Sequence, residues 1–113
     1  MKTNEKELKQ QLIREIAHVV HDKGVYSKVE RFGIVHHTYT LDVPENDIVF
    51  YTRLHGTRPS PFTRIELDRD RGTDSLLFYA GDNEFASCNV SEKYCYTISL
   101  DRLEKVSDLL KTI

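Results

Sequence analysis

Hydrophobic residues recur along this chain with two different periods, and the change of period divides it. Between residues 4 and 23, Leu8, Leu12, Ile16, Val19 and Val20 fall at helical spacing, which predicts an amphipathic helix. Asn4 stands where an N-cap belongs, Glu7 follows three positions later, and Gly24 supplies the stop. At about 100° per residue, Arg14, His18 and His21 fall away from the apolar stripe and toward solvent. From residue 25 to 100 the period drops to two. Turn chemistry then recurs at Pro44-Glu45-Asn46-Asp47, Asp70-Arg71-Gly72, Gly81-Asp82-Asn83 and Ser91-Glu92-Lys93. Strands are predicted over 34–42, 48–55, 62–68, 75–80, 84–90 and 94–100, with 25–30 a weaker first strand. Residues 56–61 are expected to be irregular, because Pro59 and Pro61 would interrupt an interior strand. Helical spacing returns over 101–113, where Leu103, Val106, Leu110 and Ile113 share a face and Asp101 with Glu104 suggest a capping box.

A helix, five or six short strands in series and a second helix imply one α+β domain over residues 1–113. Its antiparallel sheet would run in meander order, with both helices on one face and the other face available. Strand parity then assigns side chains. Val35, His37, Tyr39 and Leu41, with Ile48, Phe50, Thr52 and Leu54, belong to the helix-covered face. If residues 44–47 form a reversing four-residue loop, Val43 pairs with Ile48 and Leu41 stands beside Phe50. On the outer face the same register sets His36 beside His55, Thr38 beside Arg53 and Thr40 beside Tyr51. Val49, Phe62 and Phe85 also take outward parity. In the last hairpin Cys88 pairs with Tyr96, so Cys88 points inward and Cys95 outward, and both thiols are expected to be reduced.

Composition narrows the function more than it names it. The chain has 113 residues, 39% of them hydrophobic and 30% charged, as in a globular domain. A net charge of −2 argues against a protein that neutralises many phosphates, so a nucleic-acid partner is not expected. No apolar run approaches the ~20 residues that span a bilayer, and the start of the chain lacks a signal-peptide core, which suggests a cytoplasmic protein without a membrane role. Two cysteines are too few for a disulfide scaffold and are not spaced for zinc.

The most chemical feature is the expected pairing of His36 with His55. Each begins a His-x-Thr triplet, His36-His37-Thr38 and His55-Gly56-Thr57. The two triplets resemble the paired motifs of the two-histidine phosphoesterases, a resemblance confined to these six residues. It implies one imidazole as general base, the other as general acid, and Thr38 and Thr57 holding the phosphate. In that family the motifs lie in separate lobes of a larger chain. Arg53, Arg58 and Arg64 reach the same face and could hold an anion. A metal at the histidine pair lacks a fixed third ligand, Asp42 and Glu66 being the nearest acidic residues of outward parity, so neither metal nor cofactor is expected.

Aromatic and arginine side chains on a sheet face are also what protein interfaces enrich. The leading expectation is therefore a non-enzymatic protein-binding domain, in the style of small inhibitors, immunity proteins and antagonists. It would contact a protein partner through Tyr51, Arg53, Phe62, Arg64, His36 and His55. The alternative is a phosphate-directed enzyme or nucleotide-binding domain built on His36, His55, Thr38, Thr57 and Arg53.

Overall fold

The computed structural model describes residues 4–51, 59–70, 73–91 and 98–113. Helix α1 runs over Glu5–Lys23 and is followed by β1 (Val25–Arg31), β2 (Ile34–Asp42), β3 (Val49–Tyr51), β4 (Pro59–Asp70), β5 (Thr73–Ala80), β6 (Asn83–Asn89) and α2 (Leu100–Leu110). The sheet is antiparallel, in the order β1-β2-β4-β5-β6, with β3 paired to β4. This is the expected α+β meander, with the two helices packed on each other and α1 against β2 and β4. The strand expected over 94–100 falls mainly on residues outside those described.

Helix α1 begins where its cap predicts, since the Asn4 side chain accepts the Lys6 N–H at 3.0 Å. Its buried stripe is Ile13, Ile16, Ala17 and Val20, with Leu12 and Val19 at the margins. His18 faces solvent, and His21 is half-exposed, its ring lying 4.6 Å from that of Tyr39. Gly24 ends the helix for want of space, not through a left-handed turn. Its φ is −75°, and a Cβ there would lie 2.4 Å from the Val20 carbonyl oxygen and 3.2 Å from that of Thr40. Helix α2 starts one turn-position earlier than expected. Its cap is Ser99, whose hydroxyl accepts from the Arg102 N–H at 3.3 Å, while Asp101 pairs with Lys105 at 3.4 Å. Leu103, Val106 and Leu110 are buried, but the helix stops at Leu110 and leaves Ile113 41% exposed.

The main departure from the expected topology lies at residues 44–47. They do not reverse the chain. Strand β2 pairs with β4 from Asp42↔Arg64 to His37↔Arg69, and β3 continues along β4 with Val49↔Pro61 and Tyr51↔Pro59. Residues 44–47 are thus an excursion between two strands that follow the same partner in the same direction. Asn46 holds it together: its Nδ2 donates to the Pro44 and Phe62 carbonyls at 2.8 and 3.0 Å, and its Oδ1 accepts the Ile48 N–H at 2.9 Å. Pro59 and Pro61 lie inside β4 after all. The Phe62 N–H donates toward Ile48, so by alternation positions 59 and 61 turn their missing N–H away from β3.

A second irregularity resets parity. The β4–β5 register shifts between Phe62 and Arg64, with the Thr63 hydroxyl donating to the carbonyls of Tyr79 and Gly81 at 3.3 and 2.9 Å. Phe62 therefore points inward together with Ile65 and Leu67, at 2%, 0% and 1% exposure. Its expected place on the outer face is corrected. A shift between Phe78 and Tyr79 on the other side likewise turns Phe85 against the core. Cys88 points inward as expected but is disulfide-bonded, which overturns the expectation of two reduced thiols. Its chain has one other cysteine, Cys95, outside the described residues. The face assignment that argued against a bond rested on that undescribed hairpin.

Both helices are held by this core, so Leu103→Ala, at a fully buried site, is expected to cost about 2 to 5 kcal/mol in denaturant unfolding. Gly24→Ala, which meets backbone oxygens rather than movable side chains, is expected to destabilise by roughly 1 to 3 kcal/mol in the same measurement.

Candidate functional site

The sheet face away from the helices carries the residues of outward parity on β2, β4 and β5. His36, Thr38 and Thr40 come from β2, Glu66 and Asp68 from β4, Leu77 and Tyr79 from β5. With Ser27, Val29 and Arg31 of β1 they line a cavity of about 320 Å³. The half-buried His36 has its Nδ1 3.6 Å from Asp68 Oδ1 and 3.8 Å from Asp70 Oδ2. Those distances exceed a hydrogen bond, and His36 Nδ1, Asp68 Oδ1 and Asp70 Oδ1 are buried atoms with no hydrogen-bond partner in the protein.

Arg64 is tied into the floor of this face. Its guanidinium carbon lies 4.1 Å above the Tyr79 ring and its Nε 3.5 Å from Glu66 Oε1. The Tyr79 hydroxyl donates to the other Glu66 oxygen at 3.1 Å. Burial, and then the neighbouring Glu66 carboxylate, raise the Tyr79 pKa above the ordinary tyrosine value. Electrostatically the cavity is rich in acceptors, with Glu66, Asp68 and Glu84 facing it against Arg31 of the lining and the Arg64 guanidinium paired to Glu66. Such a lining repels a phosphate. Among the described residues no three His, Cys, Asp or Glu side chains come together as a metal site.

The structure separates the residues that the sequence pattern had grouped. His36, Thr38 and Arg64 share the outer face, whereas Phe62 is in the core. Tyr51 lies in β3, opposite Pro59. Arg53, His55, Thr57 and Arg58 lie outside the described residues. The expected pairing of His36 with His55 therefore falls outside the described residues, while β2 itself is flanked by β1 and β4, with Leu41 opposite Ile65 and not Phe50. Val29 is the neighbour of His36 on the β1 side. The hairpin register that generated the pair does not exist.

A second surface was missed altogether. Strands β1 and β2 are joined by the two-residue turn Phe32-Gly33, whose φ angles are 52° and 76°. Positive φ at both positions is the pattern of a type I′ hairpin turn. Glycine adopts it freely, but for Phe32 it costs on the order of 1 kcal/mol or more. The Phe32 side chain recovers nothing in return, being fully solvent-exposed. Val25, Tyr26 and Val35 are exposed on the same hairpin, so four of the five exposed large hydrophobic residues fall within residues 25–35. The signal in the sequence was the Gly33 dipeptide between two alternating runs; it passed unnoticed because Phe, not Asn or Asp, precedes the glycine. On the helix side of this hairpin Tyr26 and His37 meet through a 2.6 Å contact between Oη and Nδ1, and the Tyr26 ring lies 5.2 Å from that of Tyr39, tilted by 50°.

Comparison with known proteins adds no relative: no protein-family model matches the chain, and neither the curated proteins nor the solved structures contain a match.

In an absorbance titration of tyrosinate, Tyr79 is expected to ionise above the usual tyrosine range, and Tyr79→Phe should remove that late step. Sign follows from the raised folded value: stability is retained below the unfolded tyrosine pKa and falls as pH rises through the folded one, and the variant should lose that alkaline dependence.

Proposed function

We propose that this chain is a non-enzymatic protein-binding module and that its contact surface is the β1–β2 hairpin. The observation that carries the reading is Phe32, an aromatic side chain held in a left-handed turn conformation and wholly exposed at the hairpin tip. Backbone strain that no internal contact repays is a mark of a site used by something outside the chain. Exposed Val25, Tyr26 and Val35 extend the apolar surface along the hairpin, and clustered apolar exposure marks interaction surfaces. Small inhibitors, immunity proteins and antagonists work in this manner, through a compact scaffold that presents one edge or loop. No helix among the described residues is long and apolar enough to cross a membrane. The bond at Cys88 favours an oxidising compartment over the cytoplasm, since disulfides rarely persist in a reducing one.

The phosphate-directed alternative is the less favoured reading, because the cavity beside His36 is lined by Glu66, Asp68 and Glu84. Phe32→Asn tests the leading reading. Asparagine tolerates the turn conformation that phenylalanine resists, so the variant is expected to unfold with roughly 1 kcal/mol more stability. In parallel affinity isolations from the native host, a protein retained by the wild-type chain and lost by Phe32→Asn is the expected result. Equal retention by both would remove the hairpin from the reading.

A further inference from the structure

Strand β1 ends the sheet: among the described residues it pairs with β2 and with nothing on its other side. Which of its backbone groups face outward follows from the turn. A two-residue hairpin closes on a hydrogen-bonded pair, here Arg31 with Ile34, and hydrogen-bonded pairs then alternate along the ladder. Residues 25, 27, 29 and 31 therefore direct their N–H and C=O groups at β2. Those of Tyr26, Lys28 and Glu30 point away from the sheet, free to pair. The strand has no proline or bulge to blunt it; its protection against indiscriminate pairing is the charge of Lys28, Glu30 and Arg31, which a partner must match.

We infer that this edge pairs with β1 of a second copy of the chain, antiparallel, about a two-fold axis at Val29. The inference rests on the hairpin being the binding surface and names its occupant. Every register centred on a residue keeps the faces of the two sheets aligned. Centred on Glu30, the pairing would set Glu30 against Glu30. Centred on Lys28, the pairing would set Lys28 against Lys28. Centred on Ser27, it would leave Glu30 and Arg31 outside the ladder. Centred on Val29, it sets Lys28 opposite Glu30 of the second copy, and Glu30 opposite its Lys28, on the helix side of the sheet. Opposite charges directly across a ladder are stabilising and like charges the reverse. Both residues are exposed, and neither forms an ion pair among the described residues.

The same register sets Val29 against Val29 across the axis on the outer face and brings exposed Tyr26 level with the Phe32-Gly33 turn of the second copy. The outward backbone groups of Lys28 and Glu30 fall on hydrogen-bonded pairs, as the geometry of the free edge requires. Because Ser27, Val29 and Arg31 line the β1 wall of the outer cavity, pairing joins the cavities of two copies into one groove across the axis.

Sedimentation equilibrium of the full chain, from low micromolar to millimolar protein, is expected to show a mass rising from 13.2 kDa toward twice that value. Lys28→Glu alone and Glu30→Lys alone should each weaken association about tenfold, since each replaces two attractive pairs by repulsive ones. The double swap K28E/E30K should restore it, with circular dichroism showing all variants folded. Val29→Cys should form an interchain disulfide on mild oxidation, because non-hydrogen-bonded antiparallel pairs lie within disulfide range, and Lys28→Cys should not. A chain that stays monomeric overturns the inference, as does a dimer indifferent to the charge swap. If it stays monomeric while Phe32→Asn still loses a heterologous partner, self-pairing fails and the protein-binding reading stands; if neither association is seen, both fail.

Discussion

Strand β4 is the constraint from which the rest of the structure follows. Its twelve residues are flanked by β5 on one side and by β2 and then β3 on the other, so no other strand shares as much backbone pairing. A strand in this position cannot shift by one residue without turning Ile65 and Leu67 out of the core. The bulge at Thr63 is the one place where that parity is reset, and it allows Phe62 to join the core although it lies three residues, not two, from Ile65. Downstream of the bulge, Glu66 and Asp68 must all face outward. The acidic character of the outer cavity is therefore a by-product of how β4 fills the core.

The two helices set the second limit. Helix α1 leans on β2 and β4, and its reach ends near the His21–Tyr39 contact. Beyond Tyr39 the helix-side positions of β2 have no cover, so Val35 and His37 are exposed although their parity matches that of buried Leu41. The β1–β2 hairpin consequently stands clear of the core on both faces. An uncovered hairpin has little apolar burial to stabilise it and depends on its partner strand. That is the setting in which Phe32, with no packing of its own, becomes informative about binding.

The outer cavity and the hairpin edge differ in chemistry but share a wall. Carboxylates of β4 stand behind His36, while β1 contributes Val29 and the outward backbone groups beside it. A partner seated on the edge strand would touch apolar and main-chain groups first and the acidic lining second. Recognition by edge pairing places affinity in backbone hydrogen bonds and selectivity in alternate side chains.

Local features were legible in the sequence wherever one element supplied its own reason. The first helix, its Asn4 cap and Gly24 stop, the buried face of α2 and the α+β meander all follow from periodicity and turn residues that act over a few positions. Pairing between elements was not legible. Pro44, Asn46 and Asp47 serve a chain reversal and an excursion equally well, and only the competition for the edge of β2 decided between them, because six ladder pairs with β4 outweigh what three-residue β3 could offer. That choice set His36 beside Asp68. Parity along β4 depended on a bulge that a period-two pattern cannot register. Exposure of Phe32 and Val35 depended on how far the helices extend over the sheet, a matter of three-dimensional coverage that no spacing of residues along the chain records.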